Sequence, residues 1–254
     1  MQLPLIRLDR VLHLGTMNAA DLGRNASGSS WEGHCLSVSL CPHAWQQIAK
    51  LGGHDLHELT TGKGYFLDIH AVKADTDLLV SIVDWAIGEK LAKKQDFWRA
   101  WYFDPDIEEW RYFECETEDE AKGQAIDYSD QWEEGLTVDK LSGPDGGPVV
   151  GRVRGIGGSR ALAKLTGMQV RGPKDGDATD AVIMGWAMEH LPTFATERVY
   201  GLWWNETYEP DNLSAPRGGI LPPFVKQWAI KTLDLDEIED VEEALESDLV
   251  EFGG

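Results

Sequence analysis

Seven histidines and three cysteines are the chain's imidazoles and thiols, among 254 residues. Two of the histidines stand three apart in His54-Asp-Leu-His57-Glu58, with His34 and His43 upstream. Zinc needs three or four converging donors, and histidines at i and i+4 fit one helical face better. Gly52-Gly53 just ahead makes the stretch a loop or a helix start, so no metal is expected. Gly155-Ile-Gly157-Gly158-Ser159 lacks the G-x-x-x-x-G-K-[ST] pattern and follows no convincing strand, so it reads as linker. No G-x-S-x-G elbow is present, which leaves an α/β-hydrolase triad without support. Cys35, Cys41 and Cys115 form no C-x-x-C pair, and their odd number argues against a secreted disulfide framework.

A different constellation is more informative. Val11-Leu-His13-Leu-Gly15-Thr16 ends the first expected strand, Glu32-Gly33-His-Cys-Leu36-Ser-Val-Ser39 opens the next, and Pro42-His-Ala-Trp45 follows. The set resembles the ADP-ribosyltransferase superfamily, whose first strand ends in His-Gly-Thr or His-Gly-Ser. Here Leu14 splits that tripeptide. The family's third mark is a glutamate on or beside a late strand. Glu206, after Trp203-Trp204-Asn205, is best placed, with Glu197 and Glu209 as rivals. The resemblance covers scattered segments of residues 9–49 and 198–221.

The resemblance implies an α+β fold with a split antiparallel sheet around a cleft, and NAD as substrate. Nicotinamide leaves the ribose anomeric carbon through an oxocarbenium-like transition state, which rewards a nearby carboxylate and hydrogen bonds to the 2-hydroxyl. By that analogy Glu206 supplies the carboxylate and His13 holds a ribose hydroxyl. Gly15, with Thr16 beside it, lets backbone approach the nicotinamide amide. Trp45 stacks on the nicotinamide ring where the family often has tyrosine. Arg217, in the rigid Ser214-Ala-Pro-Arg217-Gly-Gly219, is a bidentate phosphate reader or else the partner of one of the 44 acids. Arg24 is a weaker phosphate candidate.

Around these residues the expected elements are short and mixed. Strands are expected at Arg7–Gly15, Cys35–Ser39, Gly64–Val72, Arg198–Trp204 and Ala215–Leu221. Helices are expected from Pro42 through Ala49, and over Asp77–Lys93, Ala161–Met168, Ala178–Glu189 and Phe224–Leu233. Phe97–Phe103 and Trp110–Cys115 flank Asp104-Pro-Asp-Ile-Glu-Glu109 as an aromatic hairpin inserted in the core, and Thr117 caps a helix. Residues 142–158, rich in Gly and Pro, are the clearest loop. This mixture is α+β rather than regular alternation around a parallel sheet. Residues 1–233 are expected as one catalytic domain and 234–254 as an acidic appendage.

Charge narrows the function. Lys plus Arg is 23 against 44 Asp plus Glu, for a net −21. Asp234 to Glu251 alone holds ten acids and no base. Such a field repels a phosphate backbone and disfavours nonspecific DNA binding. No apolar run reaches the roughly 18 residues of a membrane span. The start, Met1 to Arg7, shows no leader pattern, so a cytoplasmic protein is expected. The leading expectation is a mono-ADP-ribosyltransferase that modifies a protein or an RNA or DNA base, in the setting of a bacterial toxin or phage-defence effector. The acidic end would then suit a cognate antitoxin or basic partner. The competing readings are an RNA 2′-phosphotransferase-like NAD-consuming enzyme and a non-catalytic acidic protein that binds a basic partner or mimics nucleic acid.

Overall fold

The computed structural model describes residues 2–15, 17, 32–41, 55–105, 108–129, 136–168, 170, 178–194, 198–204 and 216–233. Thr16, Arg24, Trp45, Glu197, Glu206, Glu209 and the acidic segment from Asp234 onward lie outside them. Among the described residues are eleven strands and five α-helices, a mixed α+β architecture. The strands are β1 (Leu5–Arg7), β2 (Arg10–Leu14), β3 (Leu36–Ser39), β4 (Leu56–Thr60), β5 (Gly64–Asp68), β6 (Ala92–Asp104), β7 (Glu109–Cys115), β8 (Val150–Gly158), β9 (Val199–Trp204), β10 (Arg217–Ile220) and β11 (Ala229–Leu233). The helices are α1 (Ile69–Ala74), α2 (Thr76–Gly88), α3 (Glu118–Asp127), α4 (Arg160–Thr166) and α5 (Thr179–Phe194). The chain forms two compact units, one of residues 1–82, 166–168 and 183–254, the other of 83–165 and 169–182.

The first unit is built on an eight-stranded sheet in the order β1-β5-β9-β10-β3-β2-β4-β11. Only β5 and β9 run parallel; every other pair is antiparallel. Val199 to Trp204 are buried without exception, so this strand lies deep in the unit and reads as a continuous apolar run. Its neighbour β10 carries Gly218-Gly219 because side chains crowd both positions. A Cβ on Gly219 would lie 2.6 Å from the Cys35 Cβ, and one on Gly218 would enter the Trp203 indole. The middle of the sheet is held differently. β2 and β3 pair at one position, Leu12 with Ser39.

The second unit is built on the three-stranded sheet β7-β6-β8. The expected hairpin forms as β6 and β7, with Trp98 opposite Cys115 and Asp104 opposite Glu109. Helix α3 starts where Thr117 accepts from the Glu120 N–H at 3.2 Å. Its Ala121 and Ala125 pack on Ala100 and Cys115, covering one face of the hairpin.

Six local expectations fail. The strand expected over Arg7–Gly15 is broken at Leu8 and Asp9 into β1 and β2, and the helix expected over Asp77–Lys93 ends at Gly88, before Ala92 opens β6. Residues 150–158 of the expected loop are strand β8, laddered along β6 from Ala100↔Val150 to Ala92↔Gly158. Glycine there weakens the sequence signal without preventing pairing. The Gly155–Gly158 stretch is therefore strand rather than linker. The strand expected through Val72 stops at Asp68, whose carboxylate accepts the Ala71 N–H at 3.0 Å and starts α1. The last expected helix is a 3₁₀ turn, Pro222–Gln227, followed by strand β11. His57 and Glu58 lie on strand β4 instead of a loop or helix start. No helix among the described residues is long and apolar enough to cross a membrane.

Candidate functional site

His13 is the fourth residue of β2, next to the single pair that joins β2 to β3. Its Nδ1 donates to the Ser37 carbonyl at 2.7 Å. A side chain thus bridges β2 and β3 one residue beyond the Leu12↔Ser39 pair. A carbonyl only accepts, so Nδ1 carries a proton, and the neutral tautomer that fits this bond has Nε2 as its acceptor. That nitrogen lies toward Gly15, where a Cβ would stand 3.2 Å from it.

His57, on β4, is the register partner of His13. Thr232, on β11, is the register partner of His57. Directly opposed residues share a face, so His13, His57 and Thr232 form one polar row across three strands. The two imidazoles are 6.1 Å apart and 17° from parallel. His57 Nε2 donates to the Gly15 carbonyl at 3.1 Å, while its Nδ1 meets the Thr232 hydroxyl at 3.1 Å. Both histidines are more than nine-tenths buried. Burial at that level demands partners, and backbone oxygens supply one for each ring.

Gly15 is the pivot of this arrangement. Its φ of 141° is a conformation that side chains rarely adopt. Its N–H donates to the Asp55 carbonyl at 2.9 Å, and its own carbonyl accepts from His57. Both ends of the residue are therefore fixed by β4 and the residue preceding it.

Arg217 is placed elsewhere. Leu12, Ser39, Arg217 and Trp204 are successive register partners across β2, β3, β10 and β9, and so share a face. His13 follows Leu12 and points to the other face. The structure therefore does not bring Arg217 and His13 together on one face. Arg217 pairs with Glu32 at 3.1 Å, with both side chains about seven-eighths buried. Its guanidinium also stands 5.5 Å from the Trp204 ring. This is the ion pair that the sequence left open as the alternative to phosphate. Ser39 completes the row by donating to the Pro216 carbonyl at 3.0 Å and accepting the Cys41 N–H at 2.9 Å.

Sequence reasoning missed His57 as a site residue. The sequence spacing sets His57 beside His54 as a metal pair, whereas its bonds go to Gly15 and Thr232. No local signal marks the pair, because the register that sets His57 opposite His13 is a long-range pairing of β2 with β4. Cys35 and Cys115 are buried, and burial pushes both thiols up from the usual range. A raised thiol pKa lowers the thiolate fraction and so disfavours either as a nucleophile. Among the described residues no group of three His, Cys, Asp or Glu converges as a metal site. The chain matches no protein-family model, no curated protein and no solved structure.

Proposed function

We propose that this chain is an NAD-consuming mono-ADP-ribosyltransferase that transfers ADP-ribose to a macromolecular acceptor. The observation that carries this reading is the fixed imidazole of His13 at the end of β2. With Nδ1 donating to Ser37, the tautomer that fits this bond has Nε2 as its acceptor nitrogen, the role needed to hold a ribose hydroxyl. Gly15 keeps the approach to that nitrogen clear of a side chain. His57 holds the Gly15 peptide in place, which makes it a positioning residue.

In this reading His13 binds the nicotinamide ribose, and Glu206 stabilises the charge that develops as nicotinamide leaves. The C–N glycosidic bond breaks, its electron pair stays with nicotinamide, and an acceptor nucleophile closes on the anomeric carbon. Trp45 and Thr16 complete the nicotinamide contact on the strength of the family resemblance. The acceptor is a protein or a nucleic-acid base, and a toxin or phage-defence role is the setting proposed with it.

A second reading gains from His57. An RNA 2′-phosphotransferase-like enzyme also consumes NAD and draws on several histidines, and β2 and β4 place two on one rung. One assay separates the two. The purified chain is incubated with labelled NAD and cell extract, and then with a 2′-phosphorylated oligonucleotide. Label moving to protein, RNA or DNA supports the transferase. NAD-dependent loss of the 2′-phosphate supports the phosphotransferase. Intact NAD in both arms overturns both.

A further inference from the structure

Side chains alternate along the hairpin of the second unit, so its two faces differ in kind. One face carries Ala100 and Cys115, covered by α3. The other carries Arg99, Trp101 and Phe103 from β6, opposite Glu114, Tyr112 and Trp110 from β7. On this face Phe103 is 39%, Trp110 37% and Tyr112 47% exposed. Large aromatic rings left this open in neighbouring positions form an exposed apolar patch.

The inner half of the face shows what the rings hold. Trp101 and Tyr112 meet edge to face, 4.9 Å apart at 68°. The Arg99 guanidinium lies 3.8 Å from the Tyr112 centroid and 5.5 Å from that of Trp101. Its charge is balanced by Glu114 at 2.8 Å. Two residues further along, Phe103 and Trp110 repeat the ring geometry at 5.6 Å and 69°. There no guanidinium stands on this face; Glu108, at the turn, precedes the strand, while Glu109, opposite Asp104, and Arg111, opposite Tyr102, lie on the α3 face. Residues 104–120 as a whole hold nine acids and the single base Arg111.

We propose that the outer pair, Phe103 and Trp110, docks an arginine of an extended basic peptide segment on a partner protein, repeating what Arg99 does at the inner pair. Guanidinium is held over aromatic faces by the ring quadrupole, and its weak hydration makes it a better occupant than ammonium. The net negative charge of residues 104–120 supplies a longer-range complementary field. Single-stranded nucleic acid also stacks on aromatic platforms, but it needs a cationic groove. Here Arg99, Arg111 and Arg152 are each committed to an acid, Glu114, Asp104 and Asp96 respectively. The proposal is independent of the transferase reading, and its test contains no NAD.

The probe is a fluorescein-labelled hexa-arginine peptide, titrated with the full chain and read by anisotropy at low and moderate salt. Binding should weaken about three- to tenfold in Trp110→Ala and in Phe103→Leu, and much less in Trp110→Phe. A hexa-lysine peptide should bind more weakly than hexa-arginine. Both aromatic variants keep every acid, so unchanged affinity in both would mean that overall negative charge holds the peptide, and would overturn the proposal. Loss in Phe103→Leu supports it even where Trp110→Ala fails to fold. Equal affinity for the two peptides, or tighter binding of an oligouridine of matched length, would also overturn it.

Discussion

His13 and His57 face each other across one rung of β2 and β4, and their rings run nearly parallel at 6.1 Å. Each ring is tied to a different backbone oxygen, His13 to Ser37 on β3 and His57 to Gly15. The pair therefore links three strands and the turn after β2, where the ladder between β2 and β3 is a single residue pair. Among the described residues this is the shortest ladder of the eight-stranded sheet, and a side-chain bond adds to it.

His57→Ala is expected to remove about 1–3 kcal/mol of stability, because the Gly15 carbonyl and the Thr232 hydroxyl both lose a buried partner. Urea unfolding followed by far-UV circular dichroism measures it. Thr232→Val should cost less, since it removes only one of the two bonds. Equal stability of wild type and His57→Ala would contradict the positioning role.

Gly15→Ala tests the pivot. Its φ of 141° strains any residue with a Cβ by about 1–3 kcal/mol, and that Cβ would stand 3.2 Å from His13 Nε2. The expected result is a lower melting temperature together with weaker NAD binding by calorimetry. Loss of stability with NAD affinity unchanged would separate Gly15 from the ligand.

The ion pair between Arg217 and Glu32 is expected to act on stability. Removing one partner of a fully buried pair costs about 3–5 kcal/mol, and slight exposure brings this to about 2–4. Glu32→Gln and Arg217→Met should each fall in that range, and the double variant should lose less than the two together. Strict additivity would show that the two charges do not depend on one another. Reduced NAD affinity in Arg217→Lys, at full stability, would return the guanidinium to phosphate recognition.

The thiols make a chemical prediction. A raised thiol pKa lowers the thiolate fraction at any pH below it, so alkylation slows. Cys35 and Cys115 are both raised by burial, while Cys41 is partly exposed. Ellman's reagent at pH 8 should therefore titrate one thiol quickly, and the other two only after denaturation. Three fast thiols would contradict the burial of Cys35 and Cys115.

What the sequence made legible follows from where each element lies. The hairpin was readable because aromatic runs flank an Asp-Pro turn, and α3 because Thr117 precedes three acids. The end of β2 was readable from Val11-Leu-His13 because a strand buried on both faces is continuously apolar. β4 was not, because Leu56-His-Glu-Leu-Thr60 mixes polar groups into a strand whose buried positions do not alternate. β8 hid behind its glycines, and β11 behind Pro222-Pro223 and four exposed residues at the sheet's edge. The opposite faces of His13 and Arg217 could not be read without the register of β2, β3 and β10. That register is long-range pairing, which no local pattern encodes.

The central claim is that His13 holds the ribose of NAD for cleavage of its nicotinamide bond. Nicotinamide release from labelled NAD, measured in wild type, His13→Ala and Glu206→Gln alongside NAD affinity, tests it most directly. Wild type should release nicotinamide. Glu206→Gln should bind NAD nearly as well but turn over about 10²–10³ more slowly. His13→Ala should lose both binding and turnover, because its bond to the ribose exists in the ground state as well. No nicotinamide release by the wild-type chain, with or without cell extract, would contradict the account.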